Sequence, residues 1–259
     1  MRIASLGSGS KGNGTFVEGT GGVVLVDLGF GIKETLRRMA TRSISPWDIK
    51  AILITHEHGD HIHGAAQFAR KFHLPLYMTT GTFDLKRFEG GLDVRRITLE
   101  EPFAVAGMEI HPVTVPHDAK EPCQYVFSEG ESRVGVLTDI GHITPHVANA
   151  YHACDALVLE CNYDPEMLAR GPYPRALKAR VSGPLGHLSN EQAAGLLESV
   201  DLNRLKHIVV SHISEKNNQP ALAEAALRQV LHTWEGSLHH ATQQNGLDWI
   251  PIGRRARNK

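Results

Sequence analysis

The chain has only three cysteines in 259 residues, at positions 123, 154 and 161. An odd number without paired spacing argues against a disulfide framework. Cys161 sits close to functional residues in sequence but reads as a small buried hydrophobe. No apolar run approaches the roughly 20 residues that a bilayer span needs. The opening Arg2-Ile3-Ala4-Ser5-Leu6 lacks the apolar core of a secretory signal and looks like a first strand. A cytoplasmic protein without a membrane partner is the expectation. Excess charge is also lacking, since the formal net charge is -1. Any binding of a polyanion must therefore come from local patches. No Ser/Pro/Gly-rich linker interrupts the chain, so one domain over 1–259 is expected.

What the chain does have is Thr55-His56-Glu57-His58-Gly59-Asp60-His61, directly after the apolar run Ala51-Ile52-Leu53-Ile54. Imidazole is a good ligand for a borderline-soft divalent cation, and a carboxylate adds a hard oxygen. In extended chain His56 and His58 point one way, because side chains alternate with period two. Asp60 and His61 follow the turn that Gly59 permits and can face another point. The pattern suits two neighbouring metals better than one. Further His and Asp residues close other apolar runs: Asp27 after Val23–Val26, His117 after Val113–Pro116, Asp139 after Val134–Thr138 and His212 after His207–Ser211. A strand that stays apolar to its last residues is buried, and a polar residue at its carboxyl end emerges at a rim where catalytic groups gather.

The pattern H-x-H-x-D-H after an apolar strand resembles the metallo-β-lactamase superfamily. The opening Ser8-Gly9-Ser10-Lys11-Gly12-Asn13-Gly14 and the later Ser214-Glu215-Lys216-Asn217-Asn218 resemble its YycJ/WalJ branch. The resemblance implies an α/β fold, an αββα sandwich of two mixed sheets with outer helices and metals at one edge. It implies one metal on His56, His58 and His117, a second on Asp60, His61 and His212, and Asp139 bridging them. Asp27 is then the acidic residue that orients the metal loop. Two divalent ions per chain are expected, zinc first, with manganese or iron as alternatives because the donor set is mixed. Glu160, at the end of Ala156–Glu160, and His187, just before a helix that Ser189 or Asn190 can cap, resemble the orienting carboxylate and general-acid His of ribonuclease Z. The sequence leaves the reverse assignment of His187 and His212 open. Asp60, Glu160 and His187 are the residues expected at the chemistry.

Several residues have both a substrate-binding and a structural reading. Ser10 and Asn13 lie in the Gly-rich opening, which can either cradle phosphate with its backbone or simply connect two strands. Arg175, Lys178 and Arg180 form either a phosphate clamp or an ordinary solvated helix face. Asn217 and Asn218 either support His212 or contact substrate. His63 and His142 lie near enough to the motifs to reach the site. The tail Arg254–Lys259 has weak nucleic-acid potential. Alternating strands and helices run through the chain, among them a helix over Ile32–Ala40 with Leu36, Met39 and Ala40 on one face.

The resulting expectation is a dinuclear phosphodiester hydrolase, most simply a DNA exonuclease. A small-molecule cyclic phosphodiesterase is the main alternative. A thioester or lactam hydrolase fits less well, since Pro116-His117-Asp118-Ala119 stands where a G-H-T-P-G-type motif belongs and Asp139 stands where lactamases typically carry Cys. A non-catalytic, metal-stabilised binding module of the same fold is the alternative from another class.

Overall fold

The computed structural model describes residues 1–88 and 90–253. The tail from 254 to 259, and any nucleic-acid contact it makes, lies outside the described residues. The first half contributes β1 (Arg2–Gly7), β2 (Gly14–Gly19), β3 (Gly22–Val26), α1 (Ile32–Ala40), β4 (Ile49–Leu53), α2 (Gly59–Ile62), α3 (Ala65–Phe72), β5 (Leu76–Met78) and β6 (Val94–Arg96). The second half contributes β7 (Phe103–Val105), β8 (Met108–Thr114), β9 (Cys123–Glu129), β10 (Ser132–Leu137), α4 (Pro145–Tyr151), β11 (Ala156–Glu160), α5 (Pro165–Arg170), α6 (Arg175–Val181), α7 (Asn190–Leu197), β12 (His207–Ser211), α8 (Pro220–Val230), β13 (Ser237–His240) and β14 (Leu247–Pro251).

Two seven-stranded sheets result, ordered β14-β1-β2-β3-β4-β5-β6 and β13-β12-β11-β10-β9-β8-β7. Each sheet has three antiparallel pairings followed by three parallel ones. The parallel strands β3–β6 and β10–β13 therefore end together within each sheet, and those ends carry the polar residues picked out in the sequence.

The period-two pattern sorts side chains into three apolar layers. In β3, Val24 and Val26 join residues of both sheets, while Val23 and Leu25 pack outward with Met39 of α1 and Phe68 of α3. In β11, Ala156 and Val158 face the inner layer, while Leu157 and Leu159 pack outward with α4, α7 and α8. The outer helices bury small and branched residues there, such as Ala193, Leu197, Ala223 and Leu227. This is the expected sandwich. The helix Ile32–Ala40 forms, but its buried residues are Thr35 and Met39, with Leu36 half-buried and Ala40 exposed. Period two also turns Glu160 inward, placing a carboxylate at the end of an otherwise apolar strand.

Candidate metal centre

The metal-motif loop is held by backbone. After β4 the chain passes Thr55 and His56, and His58 is the extended residue that opens the one-turn helix α2. Asp60 and His61 lie in that turn, so their side chains leave from a different element than those of His56 and His58. Asp60 O accepts the Asn13 N–H at 2.8 Å, and His61 O accepts the Leu28 N–H at 2.7 Å. A Cβ on Gly29 would lie 1.9 Å from Asp60 O, so only glycine lets these two segments approach.

Asp27, Asp139 and His212 all adopt left-handed backbone, with φ of 60°, 53° and 51°. Such conformations cost on the order of 1–3 kcal/mol each and collect at functional sites. Here they re-aim three strand-end side chains. Asp27 Oδ1 accepts the Thr55 N–H at 2.8 Å, and Asp27 Oδ2 lies 2.9 Å from the Thr55 hydroxyl and 2.7 Å from His61 Nδ1. Asp27 thus orients the motif, as the resemblance implied.

These contacts define which ring nitrogens are left as acceptors. His61 donates from Nδ1 to Asp27, so in the neutral ring Nε2 is a lone pair. It faces Asp139 Oδ2 at 2.9 Å and Asp60 Oδ2 at 3.5 Å. Acceptors cannot face each other so closely without a proton or a cation between them. Without a cation a proton serves: burial works against it, but the carboxylates of Asp139 and Asp27 hold the His61 pKa well above its usual value. His56 Nδ1 lies 2.9 Å from the Thr55 hydroxyl, and burial holds this imidazole neutral. Its Nε2 is buried with no partner. His117 donates from Nδ1 to Gly186 O at 3.0 Å, leaving Nε2 3.4 Å from His58 Nδ1. His212 Nε2 is likewise buried without a hydrogen-bond partner. Buried polar atoms are rarely left so.

The donor atoms fall into four overlapping groups within 4.8 Å of one another among the described residues: His56, His58 and His117; Asp60, His61 and His212; His56, His61 and Asp139; and Asp139, Glu160, His187 and His212. The orphaned atoms and the imidazole-carboxylate donor set fit divalent cations. Asp139 is shared, since Oδ1 is 4.0 Å from His117 Nε2 and 3.7 Å from His212 Nε2 while Oδ2 meets His61.

Glu160 sits beneath this cluster, fully buried. Its Oε1 lies 2.7 Å from His187 Nδ1 and 3.3 Å from His212 Nδ1. Its Oε2 accepts the N–H groups of Ile140 at 2.9 Å and Leu188 at 3.3 Å. His187 lies two residues before Ser189, which caps α7 and forms a capping box with Gln192. The expected pair of His187 and Glu160 is present. Glu160 also touches His212, which the sequence did not indicate.

A cavity of about 330 Å³ opens over the cluster, lined by His58, Asp60, Asp139, His187 and His212. Of the residues expected to grip substrate, Ser10 and Arg180 line it. Asn13 does not: it is buried, accepts the Gly9 N–H at 2.8 Å and presents Nδ2 to His61 Nε2 at 3.0 Å, supporting the metal loop from behind. Asn218 is buried too, donating to Cys161 O and pairing with Asn190. Asn217 folds back on Ser214 Oγ. Arg175 and Lys178 do not line the cavity, and Lys178 Nζ donates to Ala169 O at 2.6 Å. His142 packs on Pro184 O, and His63 is exposed at the end of α2.

Three site residues have no clear signal in the sequence. Ser8 Oγ accepts the His212 N–H at 2.8 Å, a contact spanning 204 positions. Asn162 Nδ2 donates to His212 O at 3.0 Å; its place two residues after Glu160, on the same face of an extended chain, was the available clue. Asp118 lines the cavity and binds Arg180 Nε at 2.5 Å, with its other oxygen 3.4 Å from His117 Nε2.

A profile of the beta-lactamase superfamily domain matches residues 23–213, and the chain belongs to that superfamily. Within it the chain falls in the YycJ/WalJ-like branch. It is 32% identical over 235 residues to exodeoxyribonuclease YycJ of Bacillus anthracis, covering 89% of both chains. It is 34% identical over 233 residues to exodeoxyribonuclease WalJ of Streptococcus pneumoniae, covering 88% of this chain and 87% of that one. Among solved structures, the metallo-beta-lactamase fold protein YhfI from Bacillus subtilis superposes with a TM-score of 0.72 at 15% identity, over 96% of this chain and 98% of that one.

Proposed function

We propose that the chain is a divalent-metal-dependent DNA exonuclease. The observation that carries this reading is the approach of His61, His117 and His212 to the shared Asp139 beside a His187–Glu160 pair, with His58, Asp60, Asp139, His187 and His212 opening on one cavity. The YycJ and WalJ relatives, named as exodeoxyribonucleases, direct the choice of DNA. His56, His58 and His117 would hold one cation, and Asp60, His61 and His212 a second, with Asp139 between; zinc suits the imidazoles, and manganese or iron suits the carboxylates. When bound, such cations generate a nucleophile at neutral pH and neutralise charge developing on the phosphate.

The chain's own groups do the rest. Asp27 and the Thr55 hydroxyl lock the tautomers of His61 and His56, so their Nε2 atoms point inward as acceptors. Glu160 accepts from His187 Nδ1, which leaves His187 Nε2 to carry the proton given to the leaving oxygen. A carboxylate behind an imidazole fixes the ring and favours its charged form. Burial opposes that charge, but Glu160 raises the His187 pKa above its usual value. Arg180 is the cation on the cavity wall and can turn from Asp118 to a substrate phosphate. No helix among the described residues is long and apolar enough to cross a membrane. A cytoplasmic location fits a DNA substrate.

The reading is tested by assaying bis(p-nitrophenyl) phosphate, a small cyclic phosphodiester, end-labelled DNA, S-lactoylglutathione and nitrocefin with zinc and with manganese. DNA and the phosphodiester should turn over. Turnover of the thioester or the lactam alone would overturn it, and activity confined to a small cyclic phosphodiester would move the chain to that class.

A further inference from the structure

Part of the cavity lining is apolar. Tyr173, Leu177, Val181 and Ile213 line it. The first three belong to the α5–α6 segment, inserted between β11 and α7. That segment has an apolar cluster of its own, in which Tyr173 and Leu177 pack on Tyr163, Leu168 and Val181. Nothing in phosphodiester cleavage calls for an apolar wall beside a cluster of buried charges. The phosphate is anionic, so this apolar lining suits an uncharged part of the substrate.

Among the described residues, Tyr173 is the only aromatic besides the histidines on that cavity. It is half-buried, with one part packed and another open. Pro172 and Pro174 flank it. Proline fixes its own φ and restricts the residue before it, so the backbone at Tyr173 has little freedom. A ring held this way loses little entropy on binding a flat partner. On α6, Leu177 and Arg180 are three residues apart and lie on one helix face, so a short apolar stretch leads to a single cation.

We propose that Tyr173, on its proline-braced turn, is the stacking platform for the nucleobase of the terminal nucleotide, with Leu177 and Ile213 bounding the base and Arg180 beside its phosphate. The proposal rests on the exonuclease reading and adds the subsite that recognises the end of the strand. Base–aromatic stacking is sequence-tolerant, because every base offers a π face. It therefore suits an enzyme that removes one nucleotide after another regardless of sequence. Stacking is worth about 1–3 kcal/mol per base, or roughly 5- to 150-fold in affinity.

Two measurements test this. In the first, calorimetry on the metal-loaded protein compares deoxynucleoside 5′- and 3′-monophosphates with the corresponding 2-deoxyribose phosphates, which lack the base. The nucleotides should bind about 5- to 150-fold more tightly. Tyr173→Phe should keep that ratio. Tyr173→Leu, which keeps an apolar side chain packed on Val181 but has no π face, should bring it close to one. In the second, oligonucleotides ending in a normal nucleotide are compared with ones ending in an abasic tetrahydrofuran unit, and the same ratios should appear in kcat/KM. Equal binding of nucleotides and sugar phosphates by the wild type would overturn the platform, as would an unchanged ratio in Tyr173→Leu. Because binding is read without cleavage, these outcomes are separate from failure of the exonuclease reading, which would show as no hydrolysis of either oligonucleotide.

Discussion

Glu160 is the point where the two histidines that the sequence left interchangeable come apart. One of its oxygens meets both, and both line the cavity, yet the His187 side chain is 21% exposed whereas that of His212 is buried with Nε2 directed at Asp60 and Asp139. His187→Ala should therefore retain bound metal but lose roughly 10²–10⁴-fold in turnover, the usual contribution of a general acid. The loss should shrink with a p-nitrophenolate leaving group, which needs little protonation. His212→Ala should lose metal. Metal analysis of the two purified variants decides, and a loss of metal from the first but not the second would reverse the assignments. Asp27 acts through other residues. Asp27→Asn should weaken metal binding roughly 10–100-fold, the usual cost of removing an outer carboxylate, as read by competition with a chelating dye. The cysteines are a control at this scale. All three are buried, and burial pushes the thiols of Cys123 and Cys154 up to about 12. Ellman's reagent at pH 8 should label none in the native protein and all three after unfolding.

Elements position these residues through close backbone approaches, and glycines mark the places. Gly29→Ala would drive a methyl group into Asp60 O, whereas a Cβ added to Gly31, which opens α1, would meet nothing within 4 Å. Gly29→Ala should cost about 3 kcal/mol, at the upper end of overpacking, and should weaken metal binding with it. Gly31→Ala should be near neutral. Thermal melts with and without metal separate the two variants, and equal melting points would refute the claim that the loop is held by that contact. The same closeness explains what can be read in advance. The bounds of α1 show in local periodicity, and the strands leading to Asp27, His56, Asp139 and His212 show as continuous apolar runs, because both of their faces are buried. Asn13 and Asn218 read as substrate contacts because a polar side chain beside a Gly-rich turn or a ligand strand looks exposed. Their partners lie 48 and 57 positions away, at His61 and Cys161, and no window of sequence contains them. The edge strands β13 and β14 escape sequence reading for a related reason: Ser-Leu-His-His and Leu-Asp-Trp-Ile-Pro carry weak alternation, and pairing to β12 and β1 decides their state.

Across the whole molecule, the two sheets repeat one pairing pattern and bring their parallel strand ends to a shared centre. Each contributes a left-handed Asp after its third antiparallel partner, Asp27 in one sheet and Asp139 in the other. A cation at Asp139 would therefore tie the sheets together, since His56, His58 and His61 come from one and His117 and His212 from the other. Removing metal should lower the melting temperature and should do so less in Asp139→Ala, where both cation sites are already weakened. Differential scanning calorimetry before and after chelation reads this, with the same drop in both proteins as the contrary result. The proposed degradation of DNA from its ends is read most directly from the topology of the substrate. A metal-loaded preparation should be given one plasmid in two forms, linearised and covalently closed. The linear form should be lost progressively with release of short products, while the closed circle survives. Rapid cutting of the closed circle, or an intact linear form, would contradict it.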